Sequence, residues 1–138
     1  MKILSLIITL LLSWPSLADI YIVVNEQSQI EQISQEQIAA LYLGRKRTME
    51  SQKIIILERG DQERAVFFNR IINMSLSQVN AYWAKLRFSG RVRMPEQVAT
   101  DDELFARLKR NPAMLGYSMH PPTIAGIKVI LTIKDDEK

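Results

Sequence analysis

The residue types with the most chemical potential lie together in one stretch, Leu57-Glu58-Arg59-Gly60-Asp61-Gln62-Glu63-Arg64. An apolar, β-branched run precedes it and a helically spaced one follows, so a strand is expected to end here and a helix to begin. Gly60 permits close approach of another group to the backbone, and the first N–H groups of a helix have no partner within the helix. Two arginines flank the junction, and guanidinium groups match oxyanions bidentately. That combination is the geometry of an anion site, with Arg59, Gly60, Asp61, Gln62 and Arg64 as its candidate ligand-binding residues. Glu58, Asp61 and Glu63 add negative charge at the same place. Acidic residues in a first helical turn are ordinary capping and dipole chemistry, so the segment also reads as a capped helix with surface ion pairs.

Other chemistry is sparse. The sequence has one histidine and no cysteine, which excludes disulfides, thiolate metal sites, cysteine nucleophiles and any site needing two imidazoles. His120 precedes Pro121-Pro122 and reads as a surface loop residue. No phosphate-binding loop or dinucleotide fingerprint is present; no catalytic residues, metal ligands or cofactor are expected. Arg45, Lys46, Arg47, Arg87, Arg91 and Arg93 could rim a cleft that steers anions, but we read them as a solvated face. Phe67, Phe68, Tyr82, Trp83, Phe88 and Phe105 recur at helical spacing and are expected in the core.

The junction needs a scaffold, and the chain supplies alternating signals for one. Ile20-Tyr21-Ile22-Val23-Val24-Asn25 reads as a buried strand. Ser34 and Gln37 have capping-box spacing ahead of a helix from Gln35 to Leu43, which Gly44 would end. Lys53 to Glu58 reads as a second strand, and Asp61 as the N-cap of a helix from Gln62 to about Ile72. Ser75 and Gln78 form a second capping box, opening a helix that Ser89-Gly90 closes after Phe88. A basic loop, Arg91 to Pro95, leads to Thr100-Asp101-Asp102-Glu103, the start of a further helix ending at Asn111-Pro112. Met114 to Ser118 is a short extended piece tight at Gly116, Ile127 to Ile133 is the last strand, and the acidic tail from Asp135 to Lys138 is expected to fray. Helices that follow strands argue an α/β sandwich with a partly parallel sheet.

The N-terminus carries an export signal. Lys2 is followed by an apolar run from Ile3 to Leu12, too short to span a bilayer. Ser13-Trp14-Pro15 ends that run, and Ser16-Leu17-Ala18 has small residues where a signal peptidase reads. Residues 1–18 are therefore expected to be a signal peptide and residues 19–138 one periplasmic domain with no membrane span. Cleavage removes Lys2 and leaves 17 Lys and Arg against 15 Asp and Glu. A net charge of +2 gives no reason to expect nucleic acid.

Several of these segments carry a family resemblance. Ile38-Ala39-Ala40-Leu41-Tyr42-Leu43-Gly44-Arg45-Lys46 resembles the Leu-x-x-Ile-Phe-Leu-Gly-Lys signature of the phosphate-type substrate-binding proteins of ABC transporters. The strand ending in Val24-Asn25 is similar to that family's hydrophobic strand ending in Val-Asn, and Asn111-Pro112-Ala113-Met114-Leu115-Gly116-Tyr117 to its Pro-Gly-x-Ile-Gly-Tyr strand entry, while the pattern Gly60-x-x-x-Arg64-x-x-Phe67, Ala81-Tyr82-Trp83 and Phe88-Ser89-Gly90-Arg91 resemble the family's short, single-domain periplasmic relatives in particular. The resemblance implies a single α/β domain of the type 2 periplasmic-binding-protein kind, a mixed sheet flanked by helices, that binds or senses a small anion such as phosphate. In that family an Arg and an Asp of the loop Arg-x-Asp-Gly-Ser-Gly-Thr hold phosphate, and Arg59 and Asp61 align with them. The remaining positions are Gln62-Glu63-Arg64-Ala65, so the hydroxyl donors are missing and Glu63 stands where a donor is wanted. A buried phosphate facing an uncompensated carboxylate would lose several kcal/mol. The alternative is a ligand-free module that contacts a membrane sensor or transporter subunit.

Overall fold

The computed structural model describes residues 19–90 and 92–135. The expected signal peptide, residues 1–18, lies outside them, as do Arg91 and residues 136–138 of the acidic tail. The elements are β1 (Ile20–Asn25), α1 (Gln35–Tyr42), β2 (Thr48–Met49), β3 (Gln52–Lys53), β4 (Ile55–Arg59), α2 (Asp61–Ile72), α3 (Leu76–Phe88), β5 (Glu96–Val98), α4 (Asp101–Arg110), β6 (Met114–Ser118) and β7 (Ile127–Ile133). Five strands form one sheet in the order β5-β4-β6-β1-β7, while β2 and β3 make a separate hairpin. β4 runs parallel to β5 and β6, and β1 runs antiparallel to β6 and β7. The expected α/β fold with a mixed sheet flanked by helices is the observed one.

β1 is apolar from Ile20 to Val24, in keeping with a strand covered on both faces. Ile20, Ile22 and Val24 pack with α1, α2 and α3 in the larger core, whereas Val23 joins Leu57, Val98, Leu104, Phe105 and Leu108 beneath α4. That split follows from the period-2 alternation of a strand. In the larger core Phe67 stacks on Tyr117 at 3.9 Å between centroids, and Tyr42 meets both rings edge-on.

Both expected capping boxes form: Ser34 Oγ accepts from the Gln37 amide and Ser75 Oγ from the Gln78 amide, with the reciprocal bonds present. Four expectations need correction. Phe88, expected in the core, is 93% exposed at the last position of α3. The N-cap of α2 is Gly60 rather than Asp61, which takes the first helical position. The strand expected from Lys53 to Glu58 is broken at Ile54, whose amide turns to the Arg47 carbonyl at 2.9 Å; Gln52 and Lys53 belong to the hairpin instead. Finally, the tail is held at Asp135, whose amide donates to Asp19 Oδ1 at 3.0 Å and whose carboxylate lies 3.7 Å from Arg70.

Candidate functional site

The chain leaves β4 through α2 and α3 on one face of the sheet, and leaves β5 through α4 on the other. Neighbouring parallel strands whose following helices diverge to opposite faces leave a crevice at their C-terminal ends, where open α/β sheets seat ligands. Here that crevice lies between Arg59-Gly60 and Val98–Asp101, with the end of β6 alongside. The N-termini of α2 and α4 both point to it. Thr100 caps α4 through its Oγ1, but Gly60 offers α2 no side-chain cap.

Both arginines of the junction are buried. Arg59 is 2% exposed. Its Nη1 donates to Asp101 Oδ1 at 2.9 Å and to the Tyr117 carbonyl at 3.1 Å, while Nε donates to the Val98 carbonyl at 3.3 Å. A single guanidinium thus stitches together the ends of all three parallel strands. Arg64 is 4% exposed and points inward from α2. Its Nη1 donates to Asn80 Oδ1 at 2.7 Å, and its Nε faces Glu58 Oε2 at 3.6 Å. Neither of those last two atoms has a hydrogen bond, so their attraction is purely ionic. Asp61 and Gln62 are exposed at the start of α2, and a Cβ on Gly60 would stand 3.6 Å from Glu63 Oε2.

Beneath the crevice, Glu58 is 3% exposed. Its Oε1 accepts from the Tyr117 hydroxyl and, at 3.0 Å, from the Arg59 amide. Burial raises its pKa above the ordinary carboxylate range; the Tyr117 and Arg59 hydrogen bonds and the Arg64 charge offset only part of that. Tyr117 is pushed well up, first by burial and then by the Glu58 charge, and Tyr42 likewise by burial above all. At the rim, burial works to raise Asp101, but hydrogen bonds from Arg59 and His120 outweigh it and hold the carboxyl below its ordinary value.

His120 is a loop residue with its side chain 76% exposed, and its Nδ1 lies 2.9 Å from Asp101 Oδ2. Ser118 Oγ donates to the His120 carbonyl at 2.7 Å and to Asp101 Oδ1 at 3.3 Å. Serine, imidazole and carboxylate are therefore neighbours, but the hydroxyl is directed at the His120 carbonyl and the Asp101 carboxylate rather than at the imidazole. Reasoning from sequence missed Asp101, Ser118 and His120 as neighbours of Arg59. The signal within reach was Thr100-Asp101, a capped helix start matching the one at Gly60-Asp61. Among the described residues no cluster of three or more His, Asp or Glu could hold a metal, and no helix is long and apolar enough to cross a membrane.

No protein-family model and no curated protein matches the sequence. Solved structures do. A structure from Clostridium perfringens, described as a phosphate ABC transporter substrate-binding protein with bound phosphate, superposes with a TM-score of 0.64 at 11% identity, over 83% of this chain and 46% of that one. This is the fold of a phosphate-type substrate-binding protein. An ABC-type phosphate transport receptor from Vibrio cholerae gives a TM-score of 0.61 at 17% identity, over 83% of this chain and 47% of that one. The chain spans about half the length of each, so it shares the binding-protein fold across one such portion. Open α/β sheets seat ligands in the crevice at their strand ends, and here Arg59 and Asp101 bridge that crevice.

Proposed function

We propose that the chain is a non-enzymatic periplasmic binding module on the phosphate-binding-protein fold, and that it acts by contacting a membrane sensor or transporter subunit rather than by capturing phosphate. One observation carries this reading: both guanidinium groups at the junction are buried against the chain's own carboxylates, Arg59 on Asp101 and Arg64 on Glu58. A phosphate would have to displace a carboxylate from Arg59 and would meet Asp61, Glu63 and Asp102 nearby. Both effects oppose binding, since like charges brought together out of water repel strongly.

A second reading keeps a small oxyanion at Arg59, Gly60, Asp61, Gln62 and Arg64. The observation in its favour is the absence of a side-chain cap on α2, which leaves first-turn amides for an anion. Calorimetry and thermal unfolding of the signal-cleaved protein with phosphate and sulfate separate the two. The interaction reading expects no heat and no shift in Tm at millimolar anion, while periplasmic photo-crosslinking from an exposed position such as Met94 traps one membrane protein. A micromolar phosphate isotherm, or no adduct, overturns it. A ligand at a hundredfold excess over its Kd stabilises the native state by about 2.7 kcal/mol, so a genuine site would be seen.

A further inference from the structure

The opposite end of β4 from Arg59 opens into a groove of about 510 Å³ that nothing above accounts for. Its origin is a mismatch of strand lengths. β5 pairs with β4 only from Leu57 onward, at Glu96. Pro95, just before it, has no N–H to extend the ladder. Ile55 and Ile56 are thus left without a strand on that side, and the segment 92–95 stands away from them. Buried Trp83, Leu41 and Ile54 form the floor, and Ile55 and Met94, 39% and 42% exposed, the apolar walls.

The rim is cationic. Lys46, Arg47, Lys53 and Arg93 line the groove, and the one carboxylate among its lining residues, Glu96, is held by Arg107 through contacts of 2.8 and 2.5 Å. The Arg107 guanidinium keeps Glu96 ionised, its pKa below the ordinary value, and balances its charge, leaving Lys46, Lys53 and Arg93 to face whatever enters. The basic residues that read from sequence as a solvated face are in part gathered here: Lys46, Arg47 and Arg93.

We infer that this groove docks an extended acidic segment of a partner protein, with carboxylates on the rim cations and an aliphatic side chain between Ile55 and Met94. Charge complementarity selects an acidic occupant. Concavity selects a chain segment over a bilayer, because a flat anionic surface meets the rim but cannot follow the exposed walls of Ile55 and Met94 inward. The inference rests on the interaction reading and gives it a surface and a partner chemistry.

The test is fluorescence anisotropy at low salt on the signal-cleaved protein with labelled eight-residue peptides alternating Glu with Leu, Lys with Leu, or Glu with Ser. Phosphatidylglycerol vesicles serve as the membrane arm. The Glu/Leu peptide is expected to bind saturably and more weakly as salt rises. The K53E/R93E variant, altered at two exposed positions, is expected to weaken it at least about tenfold; K53Q/R93Q is the milder substitute should the reversal unfold the protein. The proposal is overturned if the Glu/Leu peptide fails to saturate at millimolar concentration, if the variants bind it equally well, if the Lys/Leu or Glu/Ser peptide binds as tightly, or if only vesicles bind. Calorimetry with inorganic phosphate on K53E/R93E keeps the two failures apart: phosphate heat retained there refutes the interaction reading at the distant crevice, whereas lost peptide discrimination refutes the groove alone.

Discussion

Arg64 and Glu58 illustrate how a buried ion pair behaves at residue scale. Removing one partner strands the other charge in the core, whereas removing both leaves a neutral interior. Arg64→Met is expected to destabilise the protein by about 3–5 kcal/mol, and the double variant E58Q/R64M to recover much of that, as read from urea unfolding midpoints. An additive double variant would show that the 3.6 Å pair is not coupled. Glu58 and Asp101 also set opposite pH responses. Glu58 has its folded pKa raised, so it favours the native state at low pH and loses that contribution as pH climbs from the ordinary Glu range through the folded value. Asp101 has its pKa lowered, so its contribution is present above the ordinary Asp range and is lost as pH falls through the folded value. In Tm profiles between pH 3 and 7, on the order of the carboxylate range, Asp101→Asn is expected to flatten the acid-side decline and Glu58→Gln to leave it steeper. A decline unchanged in Asp101→Asn would remove Asp101 from the acid response.

At the scale of elements, what the sequence revealed depended on whether the determinants were local. The two capping boxes, the β-branched strand at Ile20–Asn25 and the helix ends at Gly44 and Gly90 are written in adjacent residues, and all were legible. The hairpin of β2 and β3 was not, because its turn places Glu50 and Ser51 at φ +47° and +62°, a conformation normally signalled by Gly or Asn. Nor was β5, a three-residue edge strand of mostly polar sequence that only its parallel neighbour defines. The candidate crevice was half legible: Gly60 and its arginines showed, but the contact of Arg59 with Asp101, 42 positions along, emerges only once β4 and β5 are in parallel register. Gly116 was read as a tight point, and a Cβ there would stand 2.5 Å from Leu104 Cδ1 on α4. Gly116→Ala is therefore expected to cost about 1–3 kcal/mol in chemical denaturation by pressing α4 off the sheet. A neutral result would mean that Leu104 yields freely.

For the molecule as a whole, the larger core lies between the sheet and three helices, and the smaller beneath one, with Leu115 and Tyr117 serving the first and Leu57 and Leu104 the second. Cleavage before Asp19 keeps the carboxylate that receives the Asp135 amide, so the expected processing site spares the folded domain. Intact-mass spectrometry of the protein from a periplasmic extract is expected to give a chain beginning at Asp19; a mass retaining residues 1–18 would replace secretion by anchoring. The same clasp has an engineering consequence. Ile20 pairs directly with Ile133 across antiparallel strands, which lie about 4.8 Å apart. A linker of a few residues could join the ends of the described chain and allow new ones to be opened at the Glu50-Ser51 turn. Fluorophores attached at positions 19 and 135 would report a single point on the surface, remote from neither sheet edge nor solvent, and would respond to fraying of β7 before any loss of the core.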